Sequence, residues 1–208
     1  MSMMYGYGED ALTLWALKHH LSALLKKYKD QTDPDECLVF YRPSFGRAGG
    51  KNSSEFGEFD AIVASQEKIY LVESKWDNAG KAKNYKQIIK PVQTQRHEIL
   101  SWYITHWNKK YSDKWQKFTE ETSKDFKKTF KNKPLASTNS LLAENLEFIL
   151  NKLHNKCKKF EGEASIRNVL LFFYTSKSKS NFKTPNHFGL LRLNHIQKYK
   201  TDNFINLN

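Results

Sequence analysis

Apolar positions along the chain follow two periods. From Glu9 to about Lys29 they recur at three- and four-residue steps, through Leu14, Leu17, Leu21, Leu24 or Leu25, and Tyr28. A second stripe runs through Leu12, Trp15, Ala16, His19 and Ala23, so this stretch predicts a helix buried on two sides. Glu9 and Asp10 stand in its first turn, where the helix dipole favours negative charge. Asp33-Pro34-Asp35 ends it. Cys37 to Tyr41 reads as a short strand, and Arg42 to Glu55 as a loop. The period then becomes two. Gly57-Glu58-Phe59-Asp60-Ala61-Ile62-Val63-Ala64 and Ile69-Tyr70-Leu71-Val72-Glu73-Ser74-Lys75-Trp76 are β-rich runs. The polar turn Ser65-Gln66-Glu67-Lys68 joins them into a predicted hairpin. In its second strand Ile69, Leu71, Glu73 and Lys75 share one face, with Tyr70, Val72, Ser74 and Trp76 on the other. In the first, Glu58, Asp60 and Ile62 share a face.

After the turn Asp77-Asn78-Ala79-Gly80, residues Lys81 to about Lys90 predict a helix that Pro91 kinks or restarts. From Val92 a long helical pattern follows, through Ile99, Tyr103, Trp107, Tyr111, Trp115, Phe118, Thr122, Phe126 and Phe130. It is too long for a simple crossover and predicts an insertion or a helical hairpin. Its aromatics are expected to pack inward, with lysines outside. Ser140 to Phe160 predicts a further helix, with Leu142, Leu146, Ile149, Leu153, Cys157 and Phe160 on its core face. Ile166 and Val169–Tyr174 read as an interior strand, Thr175–Pro185 as a loop, and Phe188–Ile196 as one more strand. The polar tail from Gln197 is expected to fray. The resulting order is α-β-β-β-α, a helical region, then α-β-β. We read one α/β domain over residues 1–208, with 92–160 a helical insertion or subdomain.

Composition adds an electrostatic footprint. The net charge is +12, from 34 Lys+Arg against 22 Asp+Glu. Residues 1–65 carry 7 basic and 9 acidic side chains, so the whole positive excess lies after them. Such a balance points to a polyanionic partner such as nucleic acid. Cys37 and Cys157 have no metal-ligand spacing and imply a reducing compartment. With no apolar run of membrane-spanning length and no leader pattern, a cytoplasmic protein without a membrane partner is expected.

The hairpin holds the candidate chemistry. Glu73 and Lys75 end an apolar run, roughly 7 Å apart on one face, and Asp60 can come beside them. Carboxylate oxygens suit Mg²⁺, and a lysine can position water or stabilise charge on a phosphate. The competing reading is a surface ion pair contributing about 0–1 kcal/mol. Gly49-Gly50-Lys51 is not a P-loop: Phe45 stands where its first glycine is needed, and Asn52 where Ser or Thr is.

At these residues the sequence resembles the PD-(D/E)xK nuclease superfamily. Asp60 matches its first acid, Glu73-Ser74-Lys75 its ExK element, and Gly57-Glu58-Phe59-Asp60 is similar to the G-E-apolar-D form of resolvase-like and Mrr-like members. Phe59 replaces the proline of the name. The resemblance covers roughly the first ninety residues. It implies a restriction-endonuclease-like mixed β-sheet flanked by helices, with an α-β-β-β-α-β core and here a long helical insertion. It implies a Mg²⁺-dependent DNA endonuclease, with Mn²⁺ a possible substitute. Asp60, Glu73 and the Ser74 carbonyl would hold the metal, and Lys75 would orient or help activate the attacking water. Glu9 has two readings, a dipole residue or a helix-one glutamate reaching the metal; Glu58 is the other candidate for a metal-bound water. Arg42, Arg47, Lys51, Lys81 and Lys83 are candidate DNA-backbone contacts. A restriction-type enzyme acting on duplex DNA as a homodimer is the leading expectation. The alternatives are a structure-specific repair or Holliday-junction-type nuclease, an RNA-processing nuclease, and a non-cleaving DNA-binding or protein-interaction module.

Overall fold

A computed structural model of the chain describes residues 3–46, 53–77, 89–174, 187–195 and 204–207. The predicted 81–90 helix falls outside these residues except at its end, and the predicted 175–185 loop lies wholly outside them. A five-stranded mixed sheet forms the centre. Its strands are β2 (Leu38–Tyr41), β5 (Ala61–Ala64), β6 (Ile69–Asp77), β7 (Ile166–Tyr174) and β8 (Phe188–Asn194), adjacent in that order. β2, β5 and β6 pair antiparallel; β7 and β8 run parallel to β6. Val169–Phe173 on β7 is buried, as its unbroken apolar sequence requires of an interior parallel strand.

Helices cover both faces. α1 (Gly8–His19) and α2 (Leu21–Lys27) divide the predicted first helix at His20. Their Leu12, Leu17, Leu24 and Leu25 pack on Val63, Tyr70, Val72, Leu171 and Phe173. On the other face lie α3 (Pro91–His106), α4 (Trp115–Thr129) and α5 (Leu141–Lys156). Their Ile99, Tyr103, Phe118, Leu146 and Leu150 share one core with Ile62, Ile69 and Leu71. The alternation expected of the second hairpin strand is therefore present: its two faces serve two separate cores. Cys157 is buried in the α3–α5 core.

The long 92–130 pattern is two helices that fold back on each other. Trp107 ends α3 in extended backbone, the Asn108 side chain accepts from Lys110 N, and Asp113 takes φ +57°. Trp107 then meets Phe118 at 5.1 Å between ring centroids, and Trp102 meets Phe126 at 4.8 Å. Aromatics at four-residue steps occur on both arms because each arm packs on the other. Ser140 caps α5, its hydroxyl accepting from Ala143 N at 3.1 Å. Ser140→Ala is expected to cost about 1 kcal/mol and to lower Tm by roughly 2–4 °C. An unchanged thermal melt would remove the cap from the account.

The tail does not fray over its last described residues. β9 (Phe204–Asn206) pairs antiparallel with β1 (Tyr5–Tyr7), and Leu207 N donates to Met4 O at 2.9 Å. Ile205 packs on the α1 side and Leu207 is buried. Gly6 is required there, since a Cβ would sit 2.6 Å from that of Ala11. A short ribbon, β3 (Ser44–Phe45) with β4 (Gly57–Glu58), leads into the site.

Candidate active site

Asp60 stands between β4 and β5, where the strand bends. Phe59 anchors the bend: it is fully buried, 5.0 Å from the His97 ring and 5.9 Å from the Phe45 ring. Phe59 N donates to Pro43 O, and Arg42 N donates to Asp60 O. Phe59 thus occupies its place as a core residue. The bend turns the Asp60 carboxylate toward β6, where its Oδ2 accepts from Ser74 N at 2.6 Å.

Glu73 projects from β6 toward α3, and Lys75 lies beside it, near α1. Glu73 is only 2% exposed. Its Oε1 accepts from Lys75 Nζ at 2.8 Å and from Gln93 Nε2. Lys75 Nζ also donates to the Ser74 carbonyl at 2.6 Å and lies 3.7 Å from Glu9 Oε1. Glu9, in the first turn of α1, accepts from Trp76 N at 2.8 Å. On the opposite face Trp76 Nε1 donates to His195 Nε2 at 3.0 Å, which holds the end of β6. Asp60, Glu73, Lys75, the Ser74 carbonyl and Glu9 are therefore brought together at one end of the central sheet.

Burial and like charge set the protonation of this group. Burial raises the Asp60 carboxyl to about 6, and the nearby Glu73 charge adds to it. Burial also raises Glu9, against the pull of Lys75 and the Trp76 N–H. For Lys75, burial opposes the charge, but Glu73 and Glu9 outweigh it and raise its value. Lys75 is thus an ammonium at neutral pH, suited to donating hydrogen bonds and not to accepting a proton.

A carboxyl raised on folding binds its proton more tightly folded than unfolded. Its stabilising contribution is complete below the unfolded value and is lost as pH rises through about 6. In metal-free buffer, Asp60→Asn is expected to melt a few degrees above the wild type near neutral pH. The difference should vanish below about pH 4. Equal melting at both pH values would contradict a strained Asp60.

The other expected contacts divide. Arg42 is held by two acids, Asp10 and, at 3.3 Å, Glu58; its side chain keeps 41% exposure. Arg47, Lys51, Lys81 and Lys83 lie outside the described residues. Sequence reasoning missed Gln93 and Arg96, which α3 brings to Glu73 from one turn apart. Only their three-residue spacing marks them, and that spacing is common on solvated helix faces. A cavity of about 1230 Å³ runs along the α3 face bearing Gln95, Glu98 and Trp102 and includes none of the site carboxylates.

Among the described residues no three His, Cys, Asp or Glu side chains form a ready-made metal cluster. The donors available to a cation are the Asp60 and Glu73 carboxylates and the Ser74 carbonyl, all hard oxygens. Glu73 Oε2 is buried with no hydrogen-bond partner among the described residues. A site with one or two carboxylates suits Mg²⁺, which keeps several waters. Among the described residues, no helix is long and apolar enough to cross a membrane. Comparison with family models, curated proteins and solved structures found no match to this chain.

Proposed function

We propose that this protein is a Mg²⁺-dependent endonuclease that hydrolyses phosphodiester bonds in duplex DNA. The observation that carries the reading is the meeting of Asp60, Glu73 and Lys75 at the open end of the β5–β6 hairpin, opposite its Ser65–Lys68 turn. A purely structural ion pair has no use for a second carboxylate, Asp60, whose pKa is raised by burial first and by the neighbouring Glu73 second. The strand arrangement supports a restriction-endonuclease-like fold: a leading helix, three antiparallel strands, then β7 parallel to the strand that carries Glu73 and Lys75. The +12 charge supports a nucleic-acid partner.

The donor set fits a hard divalent cation, and Glu73 Oε2, without a hydrogen-bond partner among the described residues, is available to it. Asp60, Glu73 and the Ser74 carbonyl would hold the ion. When bound, Mg²⁺ supplies Lewis-acid activation of the phosphate and of a water. Lys75 donates hydrogen bonds to the water or to a phosphate oxygen and offsets negative charge. Glu9 fixes the backbone of Trp76 and keeps Lys75 turned into the site. Two strands need two sites, so cutting a duplex fits a homodimer.

Incubation with supercoiled plasmid and Mg²⁺, against an EDTA control, tests the reading. Discrete fragments are expected of a restriction-type enzyme. Nicking alone, or preference for branched substrates, moves the assignment to a structure-specific nuclease. Cleavage of RNA alone moves it to RNA processing. No cleavage with Mg²⁺ or Mn²⁺ on any of these, together with no metal-dependent rise in Tm, overturns it.

A further inference from the structure

Arg96 is the second α3 residue beside Glu73. It lies on α3, one turn after Gln93, with its side chain 15% exposed. The guanidinium sits over Phe59, 5.7 Å from the ring centroid. Gly57 forms the wall beside it: a Cβ there would lie 3.3 Å from Arg96 Nε and 3.6 Å from Cζ. Backbone φ of +101° at Gly57 also calls for glycine. The pocket for the guanidinium is therefore built by the same Gly57–Phe59 segment that leads to Asp60.

Inside that pocket the guanidinium is poorly satisfied. An arginine this far out of water normally matches its fork of N–H groups to acceptors. Here Nε is buried without a partner among the described residues. Among the described residues, the closest approach to a carboxylate is NH1 to Glu73 Oε2, at 3.8 Å, too long for a hydrogen bond. That oxygen is itself buried without a hydrogen bond among the described residues. Glu73 Oε1 already has Lys75 and Gln93. A counter-ion for Glu73 would close to a two-pronged contact near 2.8 Å. The gap instead leaves a donor and an acceptor facing each other, open to a third group.

We propose that Arg96 is a phosphate-binding residue, placed to take a non-bridging oxygen of the substrate phosphate beside a cation held at Glu73. A planar fork suits a phosphate, and Glu73 Oε2 suits the cation that travels with it. The assignment of that phosphate to a scissile phosphodiester rests on the nuclease reading above.

Inorganic phosphate, with Mn²⁺ as the paramagnetic cation, tests this on the full chain. Phosphorus-31 relaxation reports phosphate near bound Mn²⁺, and electron paramagnetic resonance reports Mn²⁺ affinity. Arg96→Met is expected to weaken phosphate binding about tenfold or more, while Mn²⁺ affinity changes less than about threefold. Arg96→Lys keeps the charge and loses the fork, so it should bind phosphate at intermediate strength with a near-native Tm. Should Arg96→Met not fold, the Lys variant decides. Wild-type phosphate affinity in the folded variant, or no phosphate binding by the wild type, overturns the proposal. Parallel loss of Mn²⁺ and phosphate would make Arg96 a support for Glu73 and also overturns it. Plasmid cleavage on the same samples separates the two readings. Arg96-dependent phosphate binding without cleavage defeats only the nuclease. Cleavage with Arg96-independent phosphate binding defeats only this assignment.

Discussion

Lys75→Ala should abolish Mg²⁺-dependent plasmid cleavage, by at least about a thousandfold, while DNA binding stays measurable. Among the described residues, Lys75 is the one cation whose ammonium touches Glu73, the Ser74 carbonyl and the neighbourhood of Glu9 together. A preorganised donor of this kind contributes roughly 10²–10³ in rate when it acts alone on developing charge. Its loss here also misplaces the attacking water, and the two effects compound. Gln93 still donates to Glu73, so the variant keeps a partner for the buried carboxylate and should fold. Asp60→Ala should be equally inactive for a different reason, loss of a cation ligand. It should also lose the Mg²⁺-induced rise in Tm, whereas Lys75→Ala should keep it. Single-turnover assays with melts in Mg²⁺ and in EDTA check both. Full cleavage by either variant would sink the site assignment.

Asp30→Ala should lower stability by about 3–5 kcal/mol, which is roughly 6–20 °C in Tm. Asp30 is buried at the far end of the same hairpin. It accepts from Ser65 Oγ at 2.5 Å, Tyr70 OH at 2.6 Å and Thr32 N at 3.0 Å. Ser65 in turn organises the turn, accepting from Glu67 N and Lys68 N. Truncation leaves several buried donors without their acceptor. Burial opposes the Asp30 charge, but the bonds from Ser65, Tyr70 and Thr32 outweigh it and hold the carboxyl below its ordinary value. A depressed carboxyl contributes stability above the unfolded value and loses it as pH falls through the folded one. The wild type should therefore lose this margin below about pH 4, and Asp30→Ala should show a flatter acid profile. Melts and chemical denaturation across pH 2–7 measure it. An unchanged Tm at pH 7 would show that the network contributes nothing. The consequence reaches the other end of the hairpin, because a one-residue slip would turn Glu73 and Lys75 to the wrong face.

Several features were legible in local order. Alternation along Ile69–Trp76 places Glu73 and Lys75 on one face, because the strand period is a property of the backbone itself. The turn Ser65–Lys68, the stripe of α5 with Cys157 inside it, and the unbroken apolar run of β7 are of the same kind. Each says which side of an element must leave water.

Which element then covers that side is a different matter. The steps from Ile99 to Phe130 stay helical through the point where the chain reverses, so only packing of Trp102 on Phe126 and of Trp107 on Phe118 reveals two helices. Residues 204–206 carry too short a pattern to register, and their partner is Tyr5–Tyr7, at the other end of the chain. Arg42 carries no local mark that Asp10 and Glu58 will hold it, and Gln93 and Arg96 none that they will reach Glu73. Periodicity records the balance of water and apolar surface around one segment. The meeting of α1, the hairpin and α3 at Glu73 comes from burying three such segments against one another, and no single segment contains it.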